Sequence, residues 1–207
     1  GEVYVCTDAT AGANVWKNVG EQSGDIQALQ FGGDGGGTSY GYRSTGYYPS
    51  TDATIDRYSY ASDGNAVAVT SMTAAGWAGR GTQTTTAGYT VGGHVGWTAT
   101  ERIEKTTFAS TTTQANIGNL MRWNGVGNTS TQSSTHLYTL GSDGTANNGI
   151  AKMAFSSEVE QTAVGDAYNF GLGVDLAFGS GHASYTHGYR AGGHSAGPSS
   201  QQTSKIE

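Results

Sequence analysis

A tyrosine-centred segment recurs four times along this chain, and no other feature of the sequence restricts its fold as much. Gly41-Tyr42-Arg43 returns as Gly88-Tyr89-Thr90-Val91-Gly92-Gly93-His94, then as Leu137-Tyr138-Thr139-Leu140-Gly141, and finally as Gly188-Tyr189-Arg190-Ala191-Gly192-Gly193-His194. The tyrosines lie 47, 49 and 51 residues apart. A second marker keeps the same period. Ile55-Asp56-Arg57-Tyr58-Ser59-Tyr60-Ala61-Ser62 is followed by Ile103-Glu104-Lys105-Thr106-Thr107-Phe108-Ala109-Ser110 and Ile150-Ala151-Lys152-Met153-Ala154-Phe155-Ser156-Ser157, with isoleucine steps of 48 and 47. Lys205-Ile206-Glu207 reads as the opening of a further copy. Two markers holding one period define a repeated structural unit. A unit of about 48 residues cannot bury its own apolar face and must stack on its neighbours.

Each unit reads as short strands. Ile103, Lys105 and Thr107 alternate with Glu104, Thr106 and Phe108, as the two faces of a strand do. Polar turns follow at Asp63-Gly64-Asn65 and Asp143-Gly144. The Gly-Gly pairs at 92–93 and 192–193 end strands where a side chain would obstruct a neighbouring backbone. Composition agrees, since 82 of the 207 residues are Gly, Ser or Thr, and Gly and Thr are poor in helix interiors. Twelve Tyr, four Trp and five Phe give the chain something to pack, so the expected class is all-β. The net charge of −6 and the scattered basic residues argue against nucleic acid. No apolar run is long enough for a membrane-spanning helix, and lone Cys6 has no partner for an intrachain disulfide. The chain opens at Gly1 without an initiator methionine or a secretion signal and is read as a piece of something longer.

A Tyr-containing strand ending in Gly-Gly, a variable loop and an Ile-acid-basic-aromatic strand together resemble the kelch repeat of β-propellers. The runs from Ile55 to Asn65 and from Gly188 to His194 are similar to tandem repeats in bacteriophage tail-fibre and virion proteins. Gly118-Asn119-Leu120 and Gly165-Asp166-Ala167, 47 apart, stand where that family carries Gly-Asp-Leu. The resemblance covers residues 38–207 and implies kelch-like, β-propeller-type sheets, about 3.5 repeats in all. So few repeats give an incomplete ring, or one completed by oligomerisation, because closed propellers use about 4–8 units. Residues 1–30 read as a separate β-hairpin module, with strands at Gly1–Val5 and Val15–Val19 around a polar turn. Residues 31–37, five of them Gly, read as a joint.

Several motifs invite chemistry. Gly37-Thr38-Ser39-Tyr40-Gly41 fits G-x-S-x-G, but the nucleophile elbow needs a strand-to-helix turn that this context lacks. His182, His187 and His194 are close in sequence, yet His94 and His194 occupy the same repeat position, which indicates a structural role. No metal is assigned. Asp63-Gly64-Asn65 lacks the distal Glu of a calcium loop. Asn128-Thr129-Ser130, a glycosylation sequon, is read as a polar turn. Glu101, Glu104, Glu158 and Glu160 are expected to line a solvated strand edge rather than two walls of a glycosidase cleft. Trp123, in the run Leu120-Met121-Arg122-Trp123, is assigned to the core.

Tyr47, Tyr48 and Trp97 fall in the variable loops after the tyrosine strands. They are the candidate binding residues, because tyrosine and tryptophan combine an apolar face with a polar handle. Stacked repeats should bring these loops to one face. The expected function, carried by the resemblance, is a virion structural protein. It would be a tail fibre or adhesin contacting host-surface glycan or protein, with no catalytic residues, no cofactor and no metal. The resemblance further implies a trimer, other tail proteins as partners, no nucleic acid, no membrane insertion, and an extracellular place on the virion. The alternatives are a polysaccharide-degrading enzyme on a propeller scaffold and a decoration protein with no receptor.

Overall fold

Threonine, valine, isoleucine and tyrosine favour the pleated backbone, and the Gly-, Asn- and Asp-rich segments between them favour turns. The computed structural model accordingly contains strands and no helix among its described residues. These are 4–8, 15–18, 40–47, 50–62, 64–120, 127–141, 149–166, 176–177, 179–183 and 187–195. The expected joint at 31–37, and Ser39, Tyr48, Asp63, Trp123 and Asp143-Gly144, lie outside them. The chain divides into two compact units, residues 1–30 and 31–207. In the first, β1 (Tyr4–Asp8) pairs antiparallel with β2 (Val15–Asn18), with a bulge between Cys6 and Asp8.

The second unit lays the repeat out as successive antiparallel sheets. The first holds β3 (Tyr40–Tyr47), β4 (Thr51–Ser59) and β5 (Val67–Gly76) in that order. The second holds β6 (Arg80–Gln83), β7 (Ala87–Val91), β10 (Arg102–Thr107) and β11 (Thr112–Asn119). A small hairpin, β8 (His94–Val95) with β9 (Thr98–Ala99), rises between β7 and β10. The third sheet repeats the plan with β12 (Thr129–Gln132), β13 (His136–Leu140), β14 (Gly149–Ala154) and β15 (Thr162–Asp166). In the last repeat β16 (Leu176–Ala177) pairs with β19 (His194–Ser195), and β17 (Ser180–Ala183) with β18 (Gly188–Ala191).

The two sequence markers are the two middle strands of this plan. Each marker tyrosine stands opposite the marker's basic residue: Tyr42 pairs with Arg57, Tyr89 with Lys105 and Tyr138 with Lys152. On the other side Tyr89 pairs with Thr82, Tyr138 with Thr131 and Tyr189 with His182. The register on both sides is therefore kept while the loops vary. A bulge directly follows the marker isoleucine in all three sheets that contain it, at Ile55, Ile103 and Ile150. Such a bulge bends and twists the strand at a fixed point of each repeat.

Sheets stack through equivalent strands: β5 packs on β11, β6 on β12, and β12 on β17. The sequence period thus becomes a hydrogen-bond period. Ser130 Oγ donates to Gly81 O (2.9 Å), Gln83 N to Gln132 Oε1 (2.8 Å), and Thr131 Oγ1 to His182 O (2.8 Å). Each bond joins residues at the same place in successive repeats. Between the second and third sheets lies the apolar core: Ala87, Tyr89, Val91, Ile103, Leu120, Leu137 and Met153, flanked by Ile117 and Phe155.

Stacking on both faces overturns two expectations. Glu104 does not line a solvated edge. It is 1% exposed, accepts from Thr73 N (3.0 Å) and Thr73 Oγ1 (2.5 Å), and pairs with Arg102 (2.9 Å). The sheet containing β10 has neighbours on both sides, so its apolar Ile103 and its charged Glu104 are buried alike. The sequon residues are not a turn either. Asn128 and Thr129 are fully buried, and Thr129 opens the four-residue strand β12, enclosed throughout. Glu101 and Glu160 are exposed, as a solvated edge requires.

Candidate binding site

Two of the aromatics singled out from the sequence, Tyr47 and Trp97, meet at one end of the first two sheets, and Tyr48 lies outside the described residues. Tyr47 closes β3, and Trp97 sits at the tip of the β8–β9 hairpin. Their ring centroids are 5.8 Å apart, edge to face. Trp77, which the sequence reading passed over, completes the cluster at 5.7 Å from each of them. Trp97 is 76% exposed and Tyr47 53%, so two of the three rings present large faces to solvent.

Trp77 anchors the group. It lies where β5 crosses to β6 and forms a two-way backbone bridge with His94, with Trp77 N to His94 O at 3.1 Å and His94 N to Trp77 O at 2.8 Å. Its indole stacks on the His94 ring at 4.3 Å, and its Nε1–H donates to Gly96 O at 2.8 Å. The Gly92-Gly93 pair makes this approach possible. Gly93 has a φ of +92°, and a Cβ there would come within 2.6 Å of Trp77 O. The last repeat has the same bridge between Ala177 and His194. Trp77 and Ala177 thus share one scaffold position, and only the first of them carries an aromatic ring. That equivalence is the signal by which Trp77 could have been found.

The backbone beneath the cluster is strained. Three residues after the marker tyrosine, Gly92, Gly141 and Gly192 adopt φ values of 62°, 57° and 62°. In the first repeat the same position is Thr45, with φ 67°, a left-handed conformation that a β-branched residue adopts only at a cost. Ala78, next to Trp77, also has a positive φ of 57°. Beside Tyr47, Arg43 pairs with Asp52 (3.2 Å) and Asp56 (2.6 Å). Asp52 is held below the usual carboxylate range, first by the Thr54 backbone N–H and then by Arg43.

Other candidate groups are not gathered into a site. Glu104 faces the first sheet, whereas Glu158 bonds Lys105 Nζ (2.5 Å) and Tyr89 OH (3.0 Å) across the opposite face of β10. Among the described residues no three His, Cys, Asp or Glu side chains are grouped as metal ligands, and no helix is long and apolar enough to cross a membrane. No protein-family model matches the chain, and no curated protein matches it significantly.

Proposed function

We propose that this chain is a structural protein of a bacteriophage virion, a tail fibre or receptor-binding adhesin built on kelch-like, propeller-type repeats. It acts outside the cell, contacts host-surface glycan or protein, assembles as a homotrimer with other tail proteins, and performs no catalysis. One observation carries the binding role: Tyr47, Trp77 and Trp97 gather with two rings exposed. Flat aromatic faces suit the C–H faces of sugars and the apolar anchors of protein partners. The strained Thr45 and Ala78 below them support the same view, because strain persists where the surroundings hold it for a purpose.

Incubation of the purified chain with host-surface polysaccharide tests the proposal. Retention without shortening of the polymer, lost in a Tyr47→Ala/Tyr48→Ala/Trp97→Ala variant, is the expected result. Shortening of the polymer would replace the adhesin with a depolymerase. Absence of retention would leave a decoration protein.

A further inference from the structure

A cavity of about 310 Å³ opens beside β3, in the place where the other sheets have their first strand. β6, β12 and β17 each flank a tyrosine strand in their own sheets, whereas β3 is an edge strand among the described residues. Two equivalent glycines register the difference. A Cβ on Gly181 would lie 1.8 Å from Ser130 O, its counterpart one repeat earlier. A Cβ on Gly81 meets nothing within 4 Å, and Gly81 lines the cavity.

The walls have a distinct chemistry. Tyr42 stacks on Phe108 (4.7 Å, 17°), and Tyr58 meets Tyr60 edge-on (5.5 Å, 89°), so two aromatic pairs border the space. Between them the inner strands supply hydroxyls and carboxamides. The Gln132 carboxamide oxygen accepts from Gln83 N–H and from the Thr82 hydroxyl. This fixes the amide with its NH2 as the donor end. Ser44 and Thr90 share a hydroxyl–hydroxyl bond of 2.7 Å. Among the described residues that line the cavity there is no Asp, Glu, Lys or Arg, and His182 stands on its wall. Desolvation raises the Tyr60 hydroxyl above its ordinary range.

From this we infer that the cavity is a second binding site, specific for a single neutral sugar unit and separate from the loop aromatics. Its volume is at the low end of the roughly 300–1,000 Å³ typical of small-molecule sites. Aromatic walls take the C–H face of a pyranose, and the hydroxyl and amide groups take its ring hydroxyls. A carboxylated sugar would lose its hydration with no Lys or Arg among the described lining residues to repay it. The site stands on the cavity alone and does not depend on the virion assignment.

Saturation-transfer NMR with glucose, galactose, N-acetylglucosamine and glucuronate tests it on the full chain. Transfer to at least one neutral sugar and none to glucuronate is expected. It should vanish in Gly81→Leu, which fills the cavity, and persist in Trp97→Ala. Should Gly81→Leu fail to fold, Tyr60→Ala, on a side chain 60% exposed, should weaken binding about tenfold. The inference is overturned by transfer to no neutral sugar, or by equal transfer to glucuronate. Binding that survives both cavity variants, or that disappears with Trp97→Ala, overturns it as well. Loss of polysaccharide retention through the loop aromatics, with cavity binding intact, would separate the two sites.

Discussion

Tyr89 shows how a buried side chain turns packing into a pH dependence. Burial, then its bond to Glu158, raises its hydroxyl well above the ordinary value of 10.0. The unfolded chain therefore ionises first. Above about pH 10 the folded state holds the proton that the unfolded state has lost, so stability falls by up to about 1.4 kcal/mol per pH unit. Below that pH the term is constant. Tyr89→Phe should remove this alkaline slope, as urea melts between pH 9 and about 11 would measure; an unchanged slope would place it on another group. Glu104 belongs to the same class of enclosed polar groups. Glu104→Ala leaves Arg102, only 11% exposed, without its counter-charge and should cost about 3–5 kcal/mol in a denaturant melt. The exposed aromatics behave oppositely. Alanine at Tyr47 or Trp97 should shift stability by no more than about 0.5 kcal/mol. Trp77→Ala should cost about 2 kcal/mol, since it loses ring contacts and the bond to Gly96 O.

Three residues after the tyrosine, each repeat has a left-handed residue that is glycine in three copies and Thr45, inside β3, in the first. Thr45→Gly should therefore stabilise the fold by about 1 kcal/mol by relieving the strain, and thermal melting would show it. Glycines at a shared position in the first strands need not respond alike. Gly181→Ala should cost about 1–3 kcal/mol by overlap with Ser130 O, while Gly81→Ala should be neutral or stabilising. Equal responses would mean that the stacking differs from that described. This contrast also explains what the sequence revealed and what it hid. The middle strands were legible because Tyr42, Tyr89 and Tyr138 and the paired Arg57, Lys105 and Lys152 repeat at fixed spacing. The first strands were not. Thr129-Ser130-Thr131-Gln132 has no apolar residue, yet all four side chains are enclosed, by neighbours one repeat away rather than by their own hydrophobicity. Glu104 was misread for the same reason, because period-2 alternation signals a face only when one side of a sheet meets water. Trp97 was legible as a loop aromatic, and Tyr47, expected in a loop, instead ends strand β3, whereas their anchor Trp77 lies on a connection between repeats, where no marker fell.

Stacking by repeats leaves edges that the described chain does not cover. β15 is the outer strand of the third sheet, and all five of its residues are exposed. Val164 on it is 47% exposed, and nearby Val159 is 59% exposed. In the earlier sheets the equivalent strands β5 and β11 pack on each other, whereas among the described residues β15 meets β11 at its start, where Gln161 N donates to Asn119 O, and keeps its own five residues exposed. An uncovered edge with apolar side chains invites pairing with another chain. The trimer proposed above would satisfy it and would multiply weak contacts at the loop aromatics through avidity. Light scattering coupled to size exclusion should therefore report three times the chain mass of 21.3 kDa. Val164→Lys places a charge on the outer edge and should shift the distribution towards single chains while leaving the circular dichroism spectrum unchanged. Polysaccharide retention should fall with it, because each chain would then bind alone. A protein that elutes as single chains at every concentration, yet is retained as strongly as before, would show that the edge needs no partner and that one copy of the aromatic cluster is sufficient.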